Sequence, residues 1–274
     1  MIIDAFGLSD VGRVREANED NFLLWKLPSS GPAADTLLLA VADGIGGHAG
    51  GAVASGLAVA TLKEDMMAWA SSTPRPAIQA ALGAVVQRAN RLIFEKAAAE
   101  SLLLGMGTTL VAAVLEEGRA TIVNVGDSRA YHFRKGRMSQ VTRDHSWVAE
   151  QRRRNLLSEQ EIQNSPFKSM ITRSLGFQEA VEPDFYGLEL EEDDYLLFCS
   201  DGLYGPLSEK KLVKAFKHHR KAKDICPVLV QTAKELRGDD NITAVVAGLR
   251  DGHPDQKISL SDTVRLDAWP KEKT

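Results

Sequence analysis

Carboxylates stand at the ends of apolar, strand-like runs in five separate parts of this sequence. The runs "LLLAVAD", "TIVNVGD" and "YLLFCSD" each lead into an aspartate, and two others, "NFLLW" and "NITAVV", directly follow acidic residues. The acids concerned are Glu19, Asp20, Asp43, Asp127, Asp201, Asp239 and Asp240. A lone Asp-Gly pair usually forms a turn, but five repeats of one context need a further reason. If these strands share a sheet edge, the acids converge and mutual repulsion raises their pKa values.

Bound cations would relieve that repulsion, and the donor types indicate which cations. The acids offer only oxygen, without a cysteine or histidine cluster, and oxygen donors favour Mg²⁺ or Mn²⁺ over zinc. Two such ions would activate a bridging water for in-line attack and absorb charge on phosphate oxygens. A phosphate dianion also favours an arginine, because the planar guanidinium matches its oxygens. Arg15, five residues before Asp20, is the natural candidate, and Arg13 could share that role.

The segments around these acids predict alternating blocks of strands and helices. Three strand-like runs come first, and helices are expected from about 52 to 70 and from about 76 to 100. Strands then return with turns at 117–118 and 135–136, and such short connections join antiparallel neighbours. An irregular stretch follows, then another strand, helices near 208–217 and 225–237, and a last strand "NITAVVAGL". This order predicts an α+β fold with layered antiparallel sheets.

The composition is that of an ordinary globular protein. The 274 residues are 44% hydrophobic and 26% charged with a net charge of −4, which argues against disorder and against a nucleic-acid binder. No apolar run is long enough to cross a bilayer, and no signal peptide is recognisable. Cys199 and Cys226 lack metal-site spacing and are expected to be buried, reduced thiols. We therefore expect a cytoplasmic protein.

Eight short blocks occur in an order that is typical of one protein family. They are "VREANEDN", "VADGIGGH", "GMGTTL", "VNVGDSRAY", "TRDHS", "ITRSLG", "CSDGL" and "GDDNIT". From about Ile3 to Leu249 they resemble the metal-dependent protein serine/threonine phosphatases of the 2C type, bacterial branch. The resemblance implies two central antiparallel sheets in a sandwich flanked by helix pairs, in α-β-β-α layers. It also implies one catalytic domain over 1–250 and a flap at about 144–180 beside the metal site. The tail over 251–274 is polar with scattered apolar residues, and we expect it to be loosely attached.

The same resemblance implies hydrolysis of phosphoserine and phosphothreonine on proteins by a metal-bridging water or hydroxide. The implied partner is a cognate Ser/Thr kinase whose action the enzyme reverses. The implied cofactors are two Mn²⁺ or Mg²⁺ ions, with a third, weaker ion. The implied state is a monomer that binds neither nucleic acid nor membrane.

Two other functions stay open at this point. One is a catalytically weak member that binds phosphoproteins, and loss of Asp43, Asp201 or Asp240 would have favoured it, but all three are present. The other is a hydrolase of different phosphoesters, such as nucleotides or nucleic acid. That function predicts a basic groove with stacking aromatic residues, and only 6% of the residues are aromatic.

Carried over residue by residue, the resemblance assigns ligands for the two core ions. Asp43 is expected to bridge them. Asp201 and Asp240 are expected to hold the first ion. Asp20 is expected to act on the second ion, partly through water, and Gly44 to lend that ion its backbone carbonyl.

The resemblance also assigns roles around this core. Glu19 is a further candidate ligand beside the second ion, and Asp127 matches the residue that holds the third. Arg15 matches the residue that binds the substrate phosphate, and it joins the three core aspartates as an expected catalytic residue. Ile45 stands where animal members carry a histidine, a candidate general acid, so the proton donor to the leaving alcohol stays open. His48 does not inherit that role automatically.

Four other features have two interpretations each. His145 could orient a water or the leaving group, although a loop histidine that satisfies backbone groups is the simpler interpretation. The basic run at 151–154 could meet a substrate or form a solvated helix face. Residues 107–109 could cradle phosphate, but we expect close packing beneath the site. The histidines at 218–219 are expected to belong to a basic surface.

Overall fold

The structure is a computed structural model, and it describes residues 2–28, 36–46, 50–155, 157–167 and 170–250, with only the backbone at 159, 163, 259–260 and 264–265. Its strands are β1 (Ile2–Asp10), β2 (Asn21–Leu27), β3 (Thr36–Ala42), β4 (Gly44–Ile45), β5 (Gly107–Thr108), β6 (Leu110–Glu116), β7 (Arg119–Val125), β8 (Arg129–Arg134), β9 (Arg137–Gln140), β10 (Asp184–Glu189), β11 (Tyr195–Cys199), β12 (Ile242–Arg250), β13 (Ser259–Leu260) and β14 (Val264–Arg265). Its helices are α1 (Gly50–Ser71), α2 (Ile78–Ala99), α3 (Trp147–Arg154), α4 (Glu159–Asn164), α5 (Asp201–Tyr204), α6 (Glu209–His218) and α7 (Ala222–Leu236), with a 3-10 turn at Ser101–Leu103.

Two large sheets face each other across an apolar layer. One sheet has the strand order β13-β1-β12-β11-β8-β9, with β14 also paired to β1, and the other has the order β10-β7-β6-β3-β2. Alternate side chains of both sheets fill the space between them, including the fully buried Leu39, Val111, Phe198 and Val245. The facing sheets therefore form the predicted sandwich.

Helix pairs cover the outer faces of both sheets. Helices α1 and α2 pack Leu62 and Ile93 against the β3 and β6 side of the second sheet. Helices α6 and α7 pack Phe216 and Leu229 against the β11 and β12 side of the first sheet. The result is the α-β-β-α arrangement that the family resemblance implied.

Antiparallel pairing brings the acid-bearing strand ends to one edge of each sheet. Asn21 pairs with Ala42, so the start of β2 lies beside the end of β3. Strand β6 is antiparallel to both β3 and β7, so β7 ends at the same edge as β3. In the other sheet Cys199 pairs with Ala244, which places the end of β11 beside the start of β12. Acids before β2 and β12 and after β3, β7 and β11 consequently meet.

Most predicted elements are present with shifted boundaries. The first two helices and both hairpin turns are confirmed, and the stretch at 144–180 contains the short helices α3 and α4. The short pair β4–β5 and the strand β10 were not predicted. Two residues of the "VADGIGGH" block, Gly47 and His48, lie outside the described residues, so the open question about His48 is not resolved.

The expectation of a loosely attached tail was wrong for two short segments. The backbones at Ser259–Leu260 and Val264–Arg265 pair in parallel with β1. Strand β1 would otherwise present an edge of unpaired backbone groups, and the tail satisfies part of it. Among the helices that the structure describes, none combines the length and apolar character needed to cross a bilayer.

Candidate active site

Five aspartates from both sheets meet at one edge of the sandwich. They are Asp20, Asp43, Asp127, Asp201 and Asp240, and the charges of the group act on one another. Burial and neighbouring carboxylates raise the pKa of Asp20 and that of Asp127 to about 7, and that of Asp43 well above its ordinary value. The pKa of Asp201 is raised as well, for the same two reasons. The side chains of Asp43 and Asp201 are within hydrogen-bonding reach, which requires a proton or a cation between them.

Asp43 is positioned by its backbone. It follows the fully buried strand β3, and its N–H donates to Thr109 Oγ1 at 2.9 Å. Its carbonyl oxygen accepts from Thr109 N at 2.9 Å and from Thr108 Oγ1 at 2.8 Å. Gly44 continues into β4, where a Cβ would lie 2.4 Å from the carbonyl oxygen of Gly51, so only glycine fits. These contacts match the interpretation of residues 107–109 as close packing beneath the site.

Asp20 lies on a buried chain of hydroxyl groups. Its Oδ2 accepts from Ser200 Oγ at 2.7 Å and from Thr243 Oγ1 at 2.6 Å. Thr243 Oγ1 also lies 2.8 Å from Ser9 Oγ, which accepts from Asn18 Nδ2 at 2.8 Å. If Ser9 donates to Thr243, every hydrogen bond in this chain points toward the Asp20 carboxylate. The bonds from Ser200 and Thr243 lower the pKa of Asp20, whereas burial raises it.

Asp201 and Asp240 are brought together by a close approach of two loops. Asp201 begins α5 directly after β11, and Gly202 packs so tightly that a Cβ there would lie 2.0 Å from the Asn241 carbonyl oxygen. Asn241 N donates to Asp240 Oδ1 at 2.9 Å. The side chain of Asn241 accepts from Glu19 N at 2.8 Å, which ties this loop to the segment that carries Arg15.

Arg15 reaches the acidic edge, where it forms a two-point ion pair with Asp240. Its Nη2 lies 2.9 Å from Oδ2 and its Nε lies 2.9 Å from Oδ1. The carboxylates of Asp240, Glu19 and Asp43 all favour the charged guanidinium, and the pKa of Arg15 is raised, mostly by the bond to Asp240. The fork geometry that suits carboxylate also suits phosphate. The structure thus places Arg15 beside a candidate ligand.

Asp127 sits where the flap joins the edge. His145 N donates to Gly126 O at 3.0 Å, and Gly126 N donates back to His145 Nδ1 at 3.1 Å. His145 Nε2 lies 3.3 Å from Asp184 Oδ2. Burial and nearby Arg173 lower the pKa of His145. With its ring nitrogens engaged in this way, His145 matches the interpretation of a histidine that satisfies backbone groups.

Several predicted features lie away from the cluster. Asp239, next to Asp240, points to Arg237 at 2.7 Å on the surface. The three arginines of the run at 151–154 are exposed on α3, as expected of a solvated face. Glu19, by contrast, borders the cluster: a Cβ on Gly51, at the start of α1, would lie 2.8 Å from the Glu19 carboxyl carbon and 2.9 Å from the carbonyl carbon of Gly44. Arg13 packs its side chain beside Gly238.

The donor set fits hard divalent cations in its chemistry. The converging aspartates offer only carboxylate oxygens, and Gly44, which follows Asp43 directly, adds a backbone carbonyl next to them in the chain. Oxygen ligands of this kind suit Mg²⁺ and Mn²⁺. The raised pKa values show how poorly these charges tolerate one another without a cation. Among the described residues, however, no three His, Cys, Asp or Glu side chains are already arranged to hold one ion. The fit to divalent cations therefore depends on the chemistry of the donor atoms. In this structure one of the donor residues, Asp240, is paired with Arg15.

The polar partners of the acids were not predicted from the sequence. Ser200, Asn241 and Thr243 each lie within three residues of a predicted acid, and Thr109 directly precedes β6 within the "GMGTTL" block. Adjacency to the acids was the available signal. The pairing of Thr243 with Asp20, by contrast, links positions more than two hundred residues apart.

This sandwich, with carboxylates and an arginine at one edge, defines a hydrolase centre suited to phosphate esters. The family model for protein phosphatase 2C matches residues 13–245. The serine/threonine phosphatase stp of Listeria innocua is 36% identical over 241 residues, which cover 87% of this chain and 92% of that protein. The S. agalactiae serine/threonine phosphatase superposes with a TM-score of 0.81 at 31% identity, covering 90% of this chain and 100% of that one.

A further solved structure bears on the metal question. The catalytic domain of the phosphatase PstP, in complex with two manganese ions, superposes with a TM-score of 0.77 at 33% identity over 91% of this chain and 99% of that one. The chain belongs to the protein phosphatase 2C family. It is a protein phosphatase, a hydrolase that acts on phosphorylated proteins, and the family is metal-dependent.

Proposed function

We propose that this chain removes phosphate from phosphoserine and phosphothreonine of proteins, using the acidic edge as its catalytic centre. The observation that carries the proposal is the meeting of five aspartates from two sheets around Asp43. Relatives at 36% identity that bear the name serine/threonine phosphatase support it. Two divalent cations, when bound, supply Lewis acidity toward phosphate and a more acidic water.

The residues of this chain divide the work of holding those ions. We assign Asp43 to both, Asp201 and Asp240 to the first, and Asp20 with the Gly44 carbonyl to the second. The ions are Mn²⁺ or Mg²⁺, since the donors are oxygen only. The hydroxyl groups around Asp20 keep its carboxylate oriented and favour its charged form.

Two weaker ligand assignments accompany the core. Asp127 is assigned to a third ion, and the raised pKa of its carboxyl, near Asp201 and Asp144, supports a site that gains from a cation. Glu19 is assigned as an additional ligand on the side of the second ion, next to the start of α1.

Arg15 is assigned to the substrate phosphate. Its guanidinium already presents two N–H groups to the oxygens of Asp240 at the acidic edge. A phosphoryl group offers the same pair of acceptors with more charge, so the fork can hold phosphate near the aspartates. A lysine at this position would keep the charge and lose the two-point geometry.

The wider setting of the enzyme is also a proposal. Residues 1–250 form one catalytic domain, with the flap at about 144–180 and a tail over 251–274, and the family match at 13–245 falls inside that domain. The enzyme acts as a monomer in the cytoplasm against a cognate Ser/Thr kinase. Both cysteines, Cys199 and Cys226, are free and buried, which suits a reducing compartment.

A substrate panel tests this function against its two rivals. With Mn²⁺ present, we expect phosphate release from phosphothreonine and phosphoserine peptides, and much slower release from a nucleoside triphosphate or single-stranded DNA. Faster turnover of the nucleotide or DNA would establish the other-phosphoester hydrolase. Tight phosphopeptide binding without release would establish the binding module instead.

A further inference from the structure

The segment from α6 to the start of α7 is strongly basic in an otherwise acidic chain. Residues 209–223 contain six lysines and Arg220 but a single acid, Glu209, whereas the whole chain carries a net charge of −4. The pair at 218–219 lies in this segment, and the catalytic proposal uses none of it. Such a concentration of one sign attracts ligands of the opposite sign.

A groove between α6 and α7 runs through this basic segment. It has a volume of about 330 Å³. Its floor is apolar and is formed mainly by Leu207, Val228 and Leu229. Its rim carries the cations Lys211 and Lys214, with His218 beside them. Positions 211, 214 and 218 recur at helical spacing, so they share one face of α6. Within the described part of the chain, no residue that lines the groove is acidic.

The cations of the rim are available to a ligand. Lys211 and Lys214 are exposed. Among the residues that the structure describes, no carboxylate lies within ion-pair distance of either lysine. On α7, Glu235 accepts a hydrogen bond from Gln231 at 2.8 Å. Val228 keeps 37% of its surface exposed beside them. A ligand with carboxylates and one apolar side chain would match both the rim and the floor.

The groove is close in the sequence to the acidic edge. Leu207, at one end of the groove, is six residues from Asp201, and six residues of extended chain span at most about 20 Å. An unstructured substrate segment could therefore occupy the groove while a phosphoresidue some ten residues away reaches the aspartates. The acidic edge, where the substrate phosphate would bind, is crowded with carboxylates, so a separate cationic site would help to hold an acidic substrate.

We propose that this basic groove docks an acidic segment of the phosphorylated protein substrate, a segment that also carries an apolar side chain. The proposal rests on the protein phosphatase function proposed above. A concave site with an apolar floor favours a peptide over a flat anionic membrane surface.

Three synthetic peptides with one phosphothreonine core test the docking. One carries the core alone, one adds a Leu-containing Asp/Glu-rich segment ten residues from the phosphothreonine, and one adds a Ser/Asn-rich segment there. The acidic segment is placed on either side of the core in separate versions. We expect it to lower KM about tenfold relative to the neutral segment, equivalent to about 1.4 kcal/mol, without changing kcat.

Two double variants with the same change in net charge locate the effect. Lys211→Glu/Lys214→Glu reverses the rim and should abolish the advantage of the acidic peptide. Lys221→Glu/Lys223→Glu reverses two exposed lysines outside the groove lining and should retain it. The proposal is overturned if the acidic segment gives no advantage, or if both variants lose it equally. Binding of the rim to phosphatidylserine vesicles without any effect on the peptides would assign the groove to membranes and also overturn it.

Turnover of p-nitrophenyl phosphate separates failure of docking from failure of the proposed function. This small ester is too short to contact the groove while its phosphate is held at the aspartates, so both double variants should turn it over at the wild-type rate with Mn²⁺. If no ester is hydrolysed by the folded wild type, the phosphatase function fails. Fluorescence anisotropy of the labelled, unphosphorylated acidic peptide still tests docking, and loss of binding in the rim variant alone would support it.

Discussion

Removing the hydroxyl of Thr243 should weaken both the fold and the metal centre. Thr243 Oγ1 donates to the buried Asp20 carboxylate at 2.6 Å and lies 2.8 Å from Ser9 Oγ. Thr243→Val keeps the shape, removes one bond to a charged group and leaves Ser9 without that partner. A hydrogen bond to a buried charge contributes about 1.5–3 kcal/mol, so we expect a loss of about 2–3 kcal/mol at pH 8.

The same change should alter metal affinity in a direction that can be worked out. The hydroxyl bond lowers the pKa of Asp20, which already lies at about 7 because of burial. In Thr243→Val that pKa rises, so protons compete better with Mn²⁺, and the apparent affinity at pH 7 falls about fivefold if the pKa rises by about one unit. Urea unfolding at pH 8 and Mn²⁺ titration followed by calorimetry at pH 7 measure the two effects.

A hydroxyl-retaining variant is the control for this experiment. Thr243→Ser keeps the donor and loses one methyl group, so we expect near-normal Mn²⁺ affinity and a stability loss of about 1 kcal/mol. If Thr243→Val matches the wild type in both stability and Mn²⁺ affinity, the hydroxyl chain does not support Asp20 and the reasoning is refuted.

Three further predictions concern charge, phosphate and packing. The raised pKa values of Asp20, Asp43 and their neighbours mean that the folded state binds more protons than the unfolded state. In the presence of chelator, Tm should therefore fall as the pH rises from about 5 to 8, and Mn²⁺ should suppress the fall. A Tm that does not change with pH in chelator would contradict this. Arg15→Lys should raise KM for a phosphothreonine peptide about tenfold by losing the two-point contact, and unchanged kinetics would remove Arg15 from phosphate binding. Gly202→Ala should lower the free energy of unfolding by more than about 2 kcal/mol and remove most of the activity. The control is Gly56→Ala in α1, where a Cβ would meet nothing closer than 3.9 Å, and it should be neutral or stabilising in the same thermal melt.

The acids of the site were predictable because their signal is local. Asp43, Asp127 and Asp201 each follow an apolar run within two residues, and antiparallel pairing then brings such strand ends together. The layered fold was predictable for a related reason. Its signals lie in contiguous residues, namely the turns at 117–118 and 135–136 and the periodicity of the long helices.

The supporting contacts were not predictable because they depend on long-range packing. The bond from Thr243 to Asp20 and the approach of Gly202 to Asn241 arise only after the two sheets meet. The pair β4–β5 has two residues per strand, too few for any periodicity to show. Arg15 was assigned to phosphate, but its two-point contact with Asp240 was not predicted. That contact depends on the hydrogen bond from Glu19 N to Asn241, which joins two segments that are distant in the sequence.

A pair of neighbouring aspartates offers the most direct test of the catalytic centre. The measurement is phosphate release from a phosphothreonine peptide by wild type, Asp240→Asn and Asp239→Asn, each with Mn²⁺ and with excess chelator. Asp240 faces Arg15 at the acidic edge, whereas Asp239 faces Arg237 on the surface. We expect Mn²⁺-dependent turnover by wild type and Asp239→Asn, and near-silence in Asp240→Asn. Full activity of a folded Asp240→Asn variant, or turnover that survives chelator, would contradict the proposed metal-dependent centre.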